Sequence, residues 1–307
     1  MSKLNTAIRL IQENKKEFCA SLLENLNFFF PDKLYLELLF FIKTGKRLNL
    51  KKPKTFNEKI QWLKLYNRKN LYTTLVDKYT AKDFVAKKIG EEHIIPLYGV
   101  WKDANDITYQ SLPNQFVLKT TNGGGGDVVI CKNKNEFNKT KIVKHLNHGL
   151  KKSIYKKFRE WPYKNVSPRV IAEKYLEDEH GELYDYKFYC FDGVPQFCQV
   201  IRNRFHKETI DFYDLKWTHM PFVGLNLAAE NGVKPVEKPL CLDDMVESCK
   251  KLSKGIPFVR VDFYVIKSNY FFGEMTFYPA SGFGTFRPDG WNEKIGELLN
   301  LPIEEVR

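Results

Sequence analysis

The chain has 307 residues, of which 43% are hydrophobic and 28% are charged, and its formal net charge is +12. This length allows one large domain or two to three small ones, and the composition is that of an ordinary globular protein. No run approaches the roughly 18 uninterrupted apolar residues of a membrane-spanning helix. The first 18 residues carry charges throughout and contain no apolar signal-peptide core, so we expect a cytoplasmic protein.

The positions of the cysteines, histidines and lysines indicate which metals and macromolecules the protein is expected to bind. None of the six cysteines forms a C-x-x-C pair and the six histidines show no metal-ligand spacing, so no zinc site is expected. The lysines are spread along the chain and no nucleic-acid recognition motif is present, so a nucleic-acid partner is not expected. The positive charge is compatible with a solvated lysine-rich surface, an anionic substrate or an anionic membrane surface.

Residues 1–72 are predicted to be mainly helical. In "KTFNEKIQWLKLY", Ile60, Leu63 and Tyr66 recur at helical spacing, and Thr55 or Asn57 is the expected N-cap. The earlier stretch "NFFFPDKLYLELLFFIKTGKR" is dense in Phe and Leu and ends in basic residues. Such a stretch either packs against its own domain or lies on a membrane surface, which would make the protein peripherally membrane-associated.

Residues 73–90 are predicted to form a further helix that ends at Gly90. From residue 91 onward, short β-type runs follow one another, and helical stretches are expected at about 135–160, at about 242–254 and at "WNEKIGELLNL". This order indicates an α+β protein: a helical N-terminal part followed by a body of mostly antiparallel hairpins.

Four consecutive glycines, Gly123–Gly126, separate two apolar runs in "FVLKTTNGGGGDVVIC". A P-loop is excluded because Asp127 and Val128 follow the last glycine, and a dinucleotide fingerprint is excluded because a strand, not a helix, follows. The segment is therefore a hairpin with a bare tip. It is either a flexible surface turn or a loop whose backbone N–H groups bind an anion together with Lys119.

A second hairpin is predicted in "FVRVDFYVIKSNYFFGEMTFY". If Lys267–Asn269 is a three-residue loop, Asp262 lies opposite Glu274 and Arg260 lies opposite Thr276, all on one face. Two opposed carboxylates need a cation between them, and they suit Mg²⁺ when phosphate oxygens complete its shell. The alternative is a surface ladder in which Arg260 neutralises both acids.

These hairpins, with a third in "RVIAEKYLEDEHGELYDYKFYCFDGV", resemble the ATP-grasp superfamily and, more closely, its TupA-like family of bacterial surface-polysaccharide biosynthesis. The resemblance covers nearly the whole chain and depends on the order of six segments: "KTFNEKIQWLKLY", "LVDKYTAKDFVAKKIG", "FVLKTTNGGGG", "DYKFYCFDG", "VRVDFYV" and "GEMTFYPASGFG". It implies two α+β lobes that clasp ATP, with a helical N-terminal extension.

The implied domains are a helical region at 1–72 and an ATP-grasp domain at 73–307, divided into a lid subdomain at about 93–172 and a catalytic, metal-binding lobe at about 173–307. The implied nucleotide-binding residues are Lys78 and Lys119 at the phosphates, Gly123, Gly124, Gly125 and Gly126 in the lid, Glu173, Lys174 and Leu176 at the adenine and the hinge, and Asp185 or Glu182 at the ribose.

The resemblance also implies the catalytic centre. Asp262 and Glu274 would bind Mg²⁺, Lys187 would face the phosphates, and Arg260 would stabilise the oxyanion. Arg202, with Arg204 and the loop Pro279–Gly284, is assigned to the substrate surface because these residues flank the inferred catalytic face. Thr276 departs from the Asn that many members of the superfamily have at this position, a departure shared by the TupA-like group, and it leaves the number of Mg²⁺ ions open.

The implied reaction is ATP-dependent joining of a carboxylate to an amine through an acyl phosphate. The expected substrates are an acidic sugar or polysaccharide precursor and an amino acid or amine. The alternatives are a glycosyltransferase or an ATP-dependent sugar kinase of the same pathway, and a non-catalytic basic binding module. "DFYD" (Asp211–Asp214) is the nearest candidate for a glycosyltransferase metal motif, and its spacing differs from D-x-D.

Overall fold

The computed structural model describes residues 15–123, 127–178, 181, 183–203, 207–226 and 229–302. Its helices are α1 (residues 15–25), α2 (Asp32–Thr44), α3 (Phe56–Tyr66), α4 (Asn70–Val76), α5 (Thr80–Ile89), α6 (Lys139–Leu150), α7 (Ile154–Phe158), α8 (Leu242–Ser253) and α9 (Trp291–Glu297). The predicted helical N-terminal part is confirmed, and so are the later helices at about 242–254 and at the "WNEKIGELLNL" segment.

Helix α3 begins where the sequence indicates. The Thr55 side chain accepts a hydrogen bond from the Glu58 backbone N–H, and the Glu58 carboxylate accepts one in return from the Thr55 N–H. This capping box satisfies two backbone donors that a helix start would otherwise leave unpaired, and it identifies Thr55, not Asn57, as the N-cap. Asn57 instead points into the protein and donates to the Gly284 carbonyl oxygen at 2.6 Å.

The single helix predicted over 73–90 is wrong, because the chain forms α4 and α5 with a break at residues 77–79. Asp77 is extended, with φ −74° and ψ 113°, and its carboxylate accepts from the Tyr79 N–H at 2.9 Å. The same carboxylate forms an ion pair with Arg169 at 3.1 Å. Side-chain bonds to the backbone compete with helix formation in this way, and the break leaves Lys78 in a turn.

The chain's first sheet has four antiparallel strands in the order β1-β4-β2-β3. They are β1 (Leu97–Trp101), β2 (Phe116–Thr120), β3 (Val128–Cys131) and β4 (Val170–Lys174). The strands β2 and β3 form the predicted hairpin, with Lys119 paired to Val128. Helix α6 covers this sheet over a small core that includes Phe116, Leu118 and Leu146.

The second sheet is larger, with the strand order β11-β10-β5-β6-β7-β8 and every pair antiparallel. Its strands are β5 (Asp185–Phe191), β6 (Val194–Arg202), β7 (Thr209–Asp214), β8 (His219–Met220), β10 (Phe258–Ile266) and β11 (Asn269–Thr276). A separate pair joins β9 (Val223–Gly224) to β12 (Phe286–Arg287). The main core lies between this sheet and helices α3, α4, α5, α8 and α9.

The β10–β11 hairpin confirms the predicted opposition of Asp262 to Glu274 and of Arg260 to Thr276, although the predicted turn is wrong. Ile266 pairs with Asn269, so the turn has two residues where three were expected. A bulge between Asp262 and Phe263 then shifts the register by one residue. Consequently Phe272 lies in the core, while its neighbour Phe271 is only partly buried.

Gly273 is the extra residue of this bulge, and a Cβ there would lie 3.2 Å from both the Asp262 carbonyl oxygen and the Tyr264 ring. We predict that Gly273→Val destabilises the protein by about 1–3 kcal/mol, because the strand must shift to admit the side chain. Gly273→Ala should cost less. Urea unfolding of the two variants measures the order, and equal stability of Gly273→Val and the unsubstituted protein would contradict it.

Candidate active site

A set of charged side chains lies on one face of the six-stranded sheet. Residues that are directly opposite on neighbouring antiparallel strands share a face. Asp262 pairs with Lys187 on one side and Glu274 on the other, so three adjacent strands present these groups together. Arg260, two residues before Asp262, lies on the same face, as does Asp185, two residues before Lys187.

Asp262 is the centre of this set and is only 2% exposed. Arg260 donates to both of its carboxylate oxygens, at 2.7 and 2.6 Å, and Lys187 forms a short ion pair with it. Lys187 also lies 3.1 Å from Asp185. Burial lowers the pKa of Lys187, but the charges of Asp185 and Asp262 outweigh it, so the net pKa is raised and the ammonium is retained.

Glu274 is more accessible and links the sheet to the N-terminal helices. Its carboxylate lies 3.2 Å from the Lys78 ammonium and 3.4 Å from the Arg260 guanidinium. The Thr276 hydroxyl lies 3.5 Å from the same carboxylate and accepts from Arg260 at 3.0 Å. Burial raises the pKa of Glu274, but Lys78, Lys187 and Arg260 together hold the pKa well below its usual range.

A second cluster of charged side chains, built around one carboxylate, lies at the four-stranded sheet. Glu173 on β4 is 4% exposed and forms ion pairs with Lys82 at 2.7 Å and with Lys119 at 2.6 Å. Burial raises the pKa of Glu173, but the two ammonium groups outweigh burial, so this pKa is lowered overall. Burial lowers the pKa of Lys119, but the Glu173 carboxylate outweighs burial, so this pKa is raised overall. The pair therefore stays charged, with Lys119 5.9 Å from the centre of the Tyr264 ring on the other sheet.

The two sheets meet at the residues predicted to form the hinge. Strand β4 ends at Lys174 in the first sheet, and the chain continues into β5 of the second sheet. Lys174 donates its N–H to the Pro96 carbonyl oxygen at 2.9 Å. Leu176 follows in the connecting segment, and Glu182, the alternative to Asp185 for the ribose, lies outside the described residues.

The glycine loop begins beside the charged groups. The Lys78 ammonium donates to the Gly123 carbonyl oxygen at 2.7 Å while contacting Glu274, so the start of the loop and the carboxylate hairpin share one cation. Gly124, Gly125 and Gly126 lie outside the described residues. The structure therefore places Lys78, Lys119, Gly123 and Glu173 around the same space as the carboxylates of the larger sheet.

The structure separates Arg202 from this set. Lys187 pairs with Gln199, and Arg202 comes three residues later on β6, so its side chain lies on the opposite face of the sheet. There it donates to Asp211 at 2.7 Å and to the Lys234 carbonyl oxygen at 2.9 Å. The assignment of Arg202 to the catalytic face is corrected on this ground, and Arg204 lies outside the described residues.

The loop Pro279–Gly284 is held by one side of helix α3. Asn57, Gln61 and Lys64, spaced by four and three residues, are buried and donate to the carbonyl oxygens of residues 281, 282 and 284. The loop needs this support because Ala280 and Ser281 both have positive φ, at 46° and 53°. Burial lowers the pKa of Lys64 to about 7.

The carboxylate hairpin offers few but suitable ligands for a divalent metal. Within the residues that the structure describes, no group of three or more His, Cys, Asp or Glu side chains is placed to hold a metal ion. Mg²⁺ does not need one, because it usually takes one or two carboxylates and fills its shell with phosphate oxygens and water. Asp262 and Glu274, directly opposed, fit that requirement.

Lys82 is the site residue that the sequence analysis missed. It is 5% exposed, and its ammonium bridges Glu173 and the Ile95 carbonyl oxygen. It comes four residues after Lys78, and side chains at this spacing lie on the same side only when both residues belong to one helix. Because the helix breaks between them, only the three-dimensional arrangement reveals its role.

Comparisons with known proteins assign this arrangement to a class. A sequence model described as TupA-like ATPgrasp matches residues 58–300. The chain therefore belongs to the TupA-like ATP-grasp family, and the predicted α+β class and ATP-grasp fold are confirmed. ATP-grasp enzymes use ATP and Mg²⁺. A comparison with curated proteins gave no match.

Solved structures similar to this chain are ATP-grasp ligases. A D-alanine–D-alanine ligase from Helicobacter pylori is 15% identical, with 80% of this chain and 69% of that chain covered and a TM-score of 0.43. One from Bacillus anthracis is 16% identical, with 67% and 58% covered and a TM-score of 0.42. The ligase PsnB, complexed with a minimal precursor, Mg and ADP, is 12% identical, with 72% and 57% covered and a TM-score of 0.38. The chain thus spans less than two thirds of the Bacillus protein.

The Glu173 ion pairs predict a pH dependence of stability. Because the pKa of Glu173 is lower in the folded than in the unfolded protein, its contribution is present above pH 4.3 or so and is lost as the pH falls. The stability gap between the unsubstituted protein and Glu173→Gln should therefore be smaller at pH 3 than at pH 5. Urea unfolding measures it, with the exposed Glu177→Gln as control, and a constant gap would contradict the assignment.

Proposed function

We propose that the protein is an ATP-dependent carboxylate–amine ligase that acts through an acyl phosphate. The observation that supports this most directly is the convergence of five cations and four carboxylates where the two sheets meet. The cations are Lys78, Lys82, Lys119, Lys187 and Arg260, and the carboxylates are Asp185, Glu173, Asp262 and Glu274. A polyphosphate is negatively charged and its bound metal ion is positively charged. The cations of this set can therefore bind the phosphates, and the carboxylates can bind the metal ion.

In this proposal, Lys78, Lys119 and Lys187 bind the phosphates of ATP. Each ammonium has three donors, and Lys119 and Lys187 are held in place by carboxylates that also maintain their charge. Asp262 and Glu274 would hold Mg²⁺, which would supply positive charge to offset the negative charge of the transferred phosphoryl group. Gly123–Gly126 provide backbone N–H groups near the terminal phosphates, and residues 173–176 provide the adenine pocket and hinge.

The chemistry proceeds in two displacements. A substrate carboxylate oxygen attacks the γ-phosphorus of ATP, the bond to the β-phosphate oxygen breaks, and ADP leaves. An amine nitrogen then attacks the carbonyl carbon of the acyl phosphate, inorganic phosphate leaves, and the amine gives up a proton. Arg260 is oriented by Asp262 and Thr276 so that its guanidinium can stabilise the oxyanion of this second step.

We propose an acidic sugar of a bacterial surface-polysaccharide precursor as the carboxylate substrate and an amino acid or amine as the nucleophile. The supporting features are the family assignment and the loop Pro279–Gly284, which follows the strand of Glu274 and is fixed by α3. A lipid-linked precursor would bring the protein to the inner surface of a membrane as a peripheral protein.

The glycosyltransferase alternative is disfavoured by the positions of Asp211 and Asp214. Asp211 is 1% exposed and is bound by Arg202 and His219, at 2.7 and 3.1 Å. The Asp214 carboxylate accepts from the N–H groups of Lys216 and Thr218 in a turn. Asp211 is therefore already engaged by cationic partners, and Asp214 by the backbone of the turn. A sugar kinase would use the same nucleotide site and differs in its product.

We predict that ATP turnover, measured as ADP release with a panel of uronic acids and amino acids, falls by roughly 100-fold or more in Asp262→Asn and in Glu274→Gln. The exposed Asp243→Asn on α8 is the matched control and should be unaffected. Mass detection should show an amide and free phosphate. A phosphosugar would identify a kinase instead, and unchanged turnover in both variants would refute the metal assignment.

A further inference from the structure

Exposed apolar side chains are concentrated on the helical hairpin formed by α1 and α2. Across the described ranges, 18 large apolar side chains are exposed, and eight of them lie between residues 18 and 41. These eight are Phe18, Leu22, Leu26, Phe28, Phe29, Leu34, Leu38 and Phe41. Phe28 and Phe29, between the helices, are 72% and 67% exposed, so they form an apolar tip that the rest of the described protein leaves uncovered.

The exposed residues form a stripe on each helix. Those of α1 recur every four residues, and those of α2 lie at 34, 38 and 41, so each set lies on one side of its helix. The other sides of the two helices pack together through Leu23, Tyr35 and Leu39. Both stripes therefore point away from the side that holds the hairpin together.

A strongly basic segment of the chain, residues 132–164, contacts this hairpin through α7. The Tyr35 hydroxyl donates to the Lys157 carbonyl oxygen at 2.9 Å, and the Tyr155 hydroxyl donates to Asp32 at 3.0 Å, so α7 lies against α2. Residues 132–164 contain eleven Lys and Arg and two Glu, which accounts for +9 of the net charge of +12. Nine of these lysines are exposed, namely Lys132, Lys139, Lys141, Lys144, Lys151, Lys152, Lys156, Lys157 and Lys164.

We infer that the α1–α2 hairpin and the lysines of the adjoining α7 together bind an anionic lipid bilayer. Amphipathic helices bury their apolar sides at the boundary between headgroups and acyl chains, and each lysine near an anionic surface strengthens the binding further. Within the described ranges, no helix is long and apolar enough to cross a membrane. The inferred binding combines two signals, one apolar and one electrostatic.

The positive charge of the lysines beside the hairpin favours an anionic bilayer over a second copy of the chain as the partner. If two hairpins packed on each other, the adjoining lysines of both copies would be brought near one another, and like charges repel. An anionic headgroup layer instead neutralises them. This inference goes beyond the proposed reaction and does not depend on it, because surface binding needs neither ATP nor the site of Asp262.

Vesicle flotation tests the inference on the full chain. Binding to vesicles of phosphatidylglycerol and phosphatidylcholine should exceed binding to pure phosphatidylcholine roughly tenfold or more, and it should fall with added salt. Phe28→Asp with Phe29→Asp, and separately Lys156→Ala with Lys157→Ala, should each weaken it. The matched controls are Val233→Asp with Leu240→Asp, also exposed apolar residues, and Lys250→Ala with Lys251→Ala on α8.

Three outcomes would overturn the inference: equal binding to neutral and anionic vesicles, undiminished binding by the Phe28/Phe29 variant, or a lipid-free dimer in sedimentation that this variant dissociates. Thermal unfolding should be unchanged in the Phe28/Phe29 variant because both side chains are exposed. ADP release is measured in parallel without vesicles. A protein that binds vesicles but shows no turnover refutes only the proposed reaction, and the converse refutes only the membrane surface.

Discussion

The carboxylate of Asp262 is buried between the Arg260 guanidinium and the Lys187 ammonium. Removing such charges from water costs several kcal/mol for each ion, and the cost is offset only when partners and hydrogen bonds are in place. The three strands that carry these groups must therefore be in one register. The bulge at Gly273 provides that register, since it brings Glu274 opposite Asp262 although the two strands are joined by a turn of only two residues.

The same constraint joins the parts of the molecule. Lys78, in the break between α4 and α5, contacts Glu274 on the larger sheet and Gly123 at the start of the glycine loop. Glu173 connects Lys82 of α5 to Lys119 of the smaller sheet. Without a ligand, the cations neutralise the carboxylates. In the proposed function, the phosphates of a nucleotide would take over the cations and its metal ion would take over the carboxylates, so both sets of partners are already present in the protein.

The helical N-terminal part has two roles in this account. Its helix α3 fixes the strained loop that follows Glu274 through three buried side-chain donors. Its hairpin α1–α2 presents apolar side chains beside the lysines of α7. If the acceptor sugar is carried on a lipid, one end of this region would position the loop and the other would position the whole protein at the lipid surface.

Much of the fold was predictable because the signals are local. Period-two patterns located most strands, and the Thr55 and Glu58 spacing predicted the start of α3. The opposition of Asp262 and Glu274 was predicted correctly although the predicted turn was one residue too long, because the bulge adds one residue to β11.

Non-local pairing accounts for the errors. The break before α5 is stabilised by Asp77, whose carboxylate binds both the nearby Tyr79 N–H and Arg169, ninety-two residues away. The face of Arg202 depends on the register of β5 with β6. The net positive charge is concentrated in residues 132–164 of the sequence, but only contacts with α2 show that α7 of this segment adjoins the N-terminal hairpin.

The central claim is that Asp262 and Glu274 exchange their cations for a metal that carries the nucleotide phosphates. Calorimetric titration with a non-hydrolysable ATP analogue, with and without Mg²⁺, tests it most directly. Mg²⁺ should tighten binding by roughly tenfold or more in the unsubstituted protein and leave it unchanged when Asp262→Asn and Glu274→Gln are combined. Equal affinity of the unsubstituted protein in the presence and absence of Mg²⁺ would contradict the account.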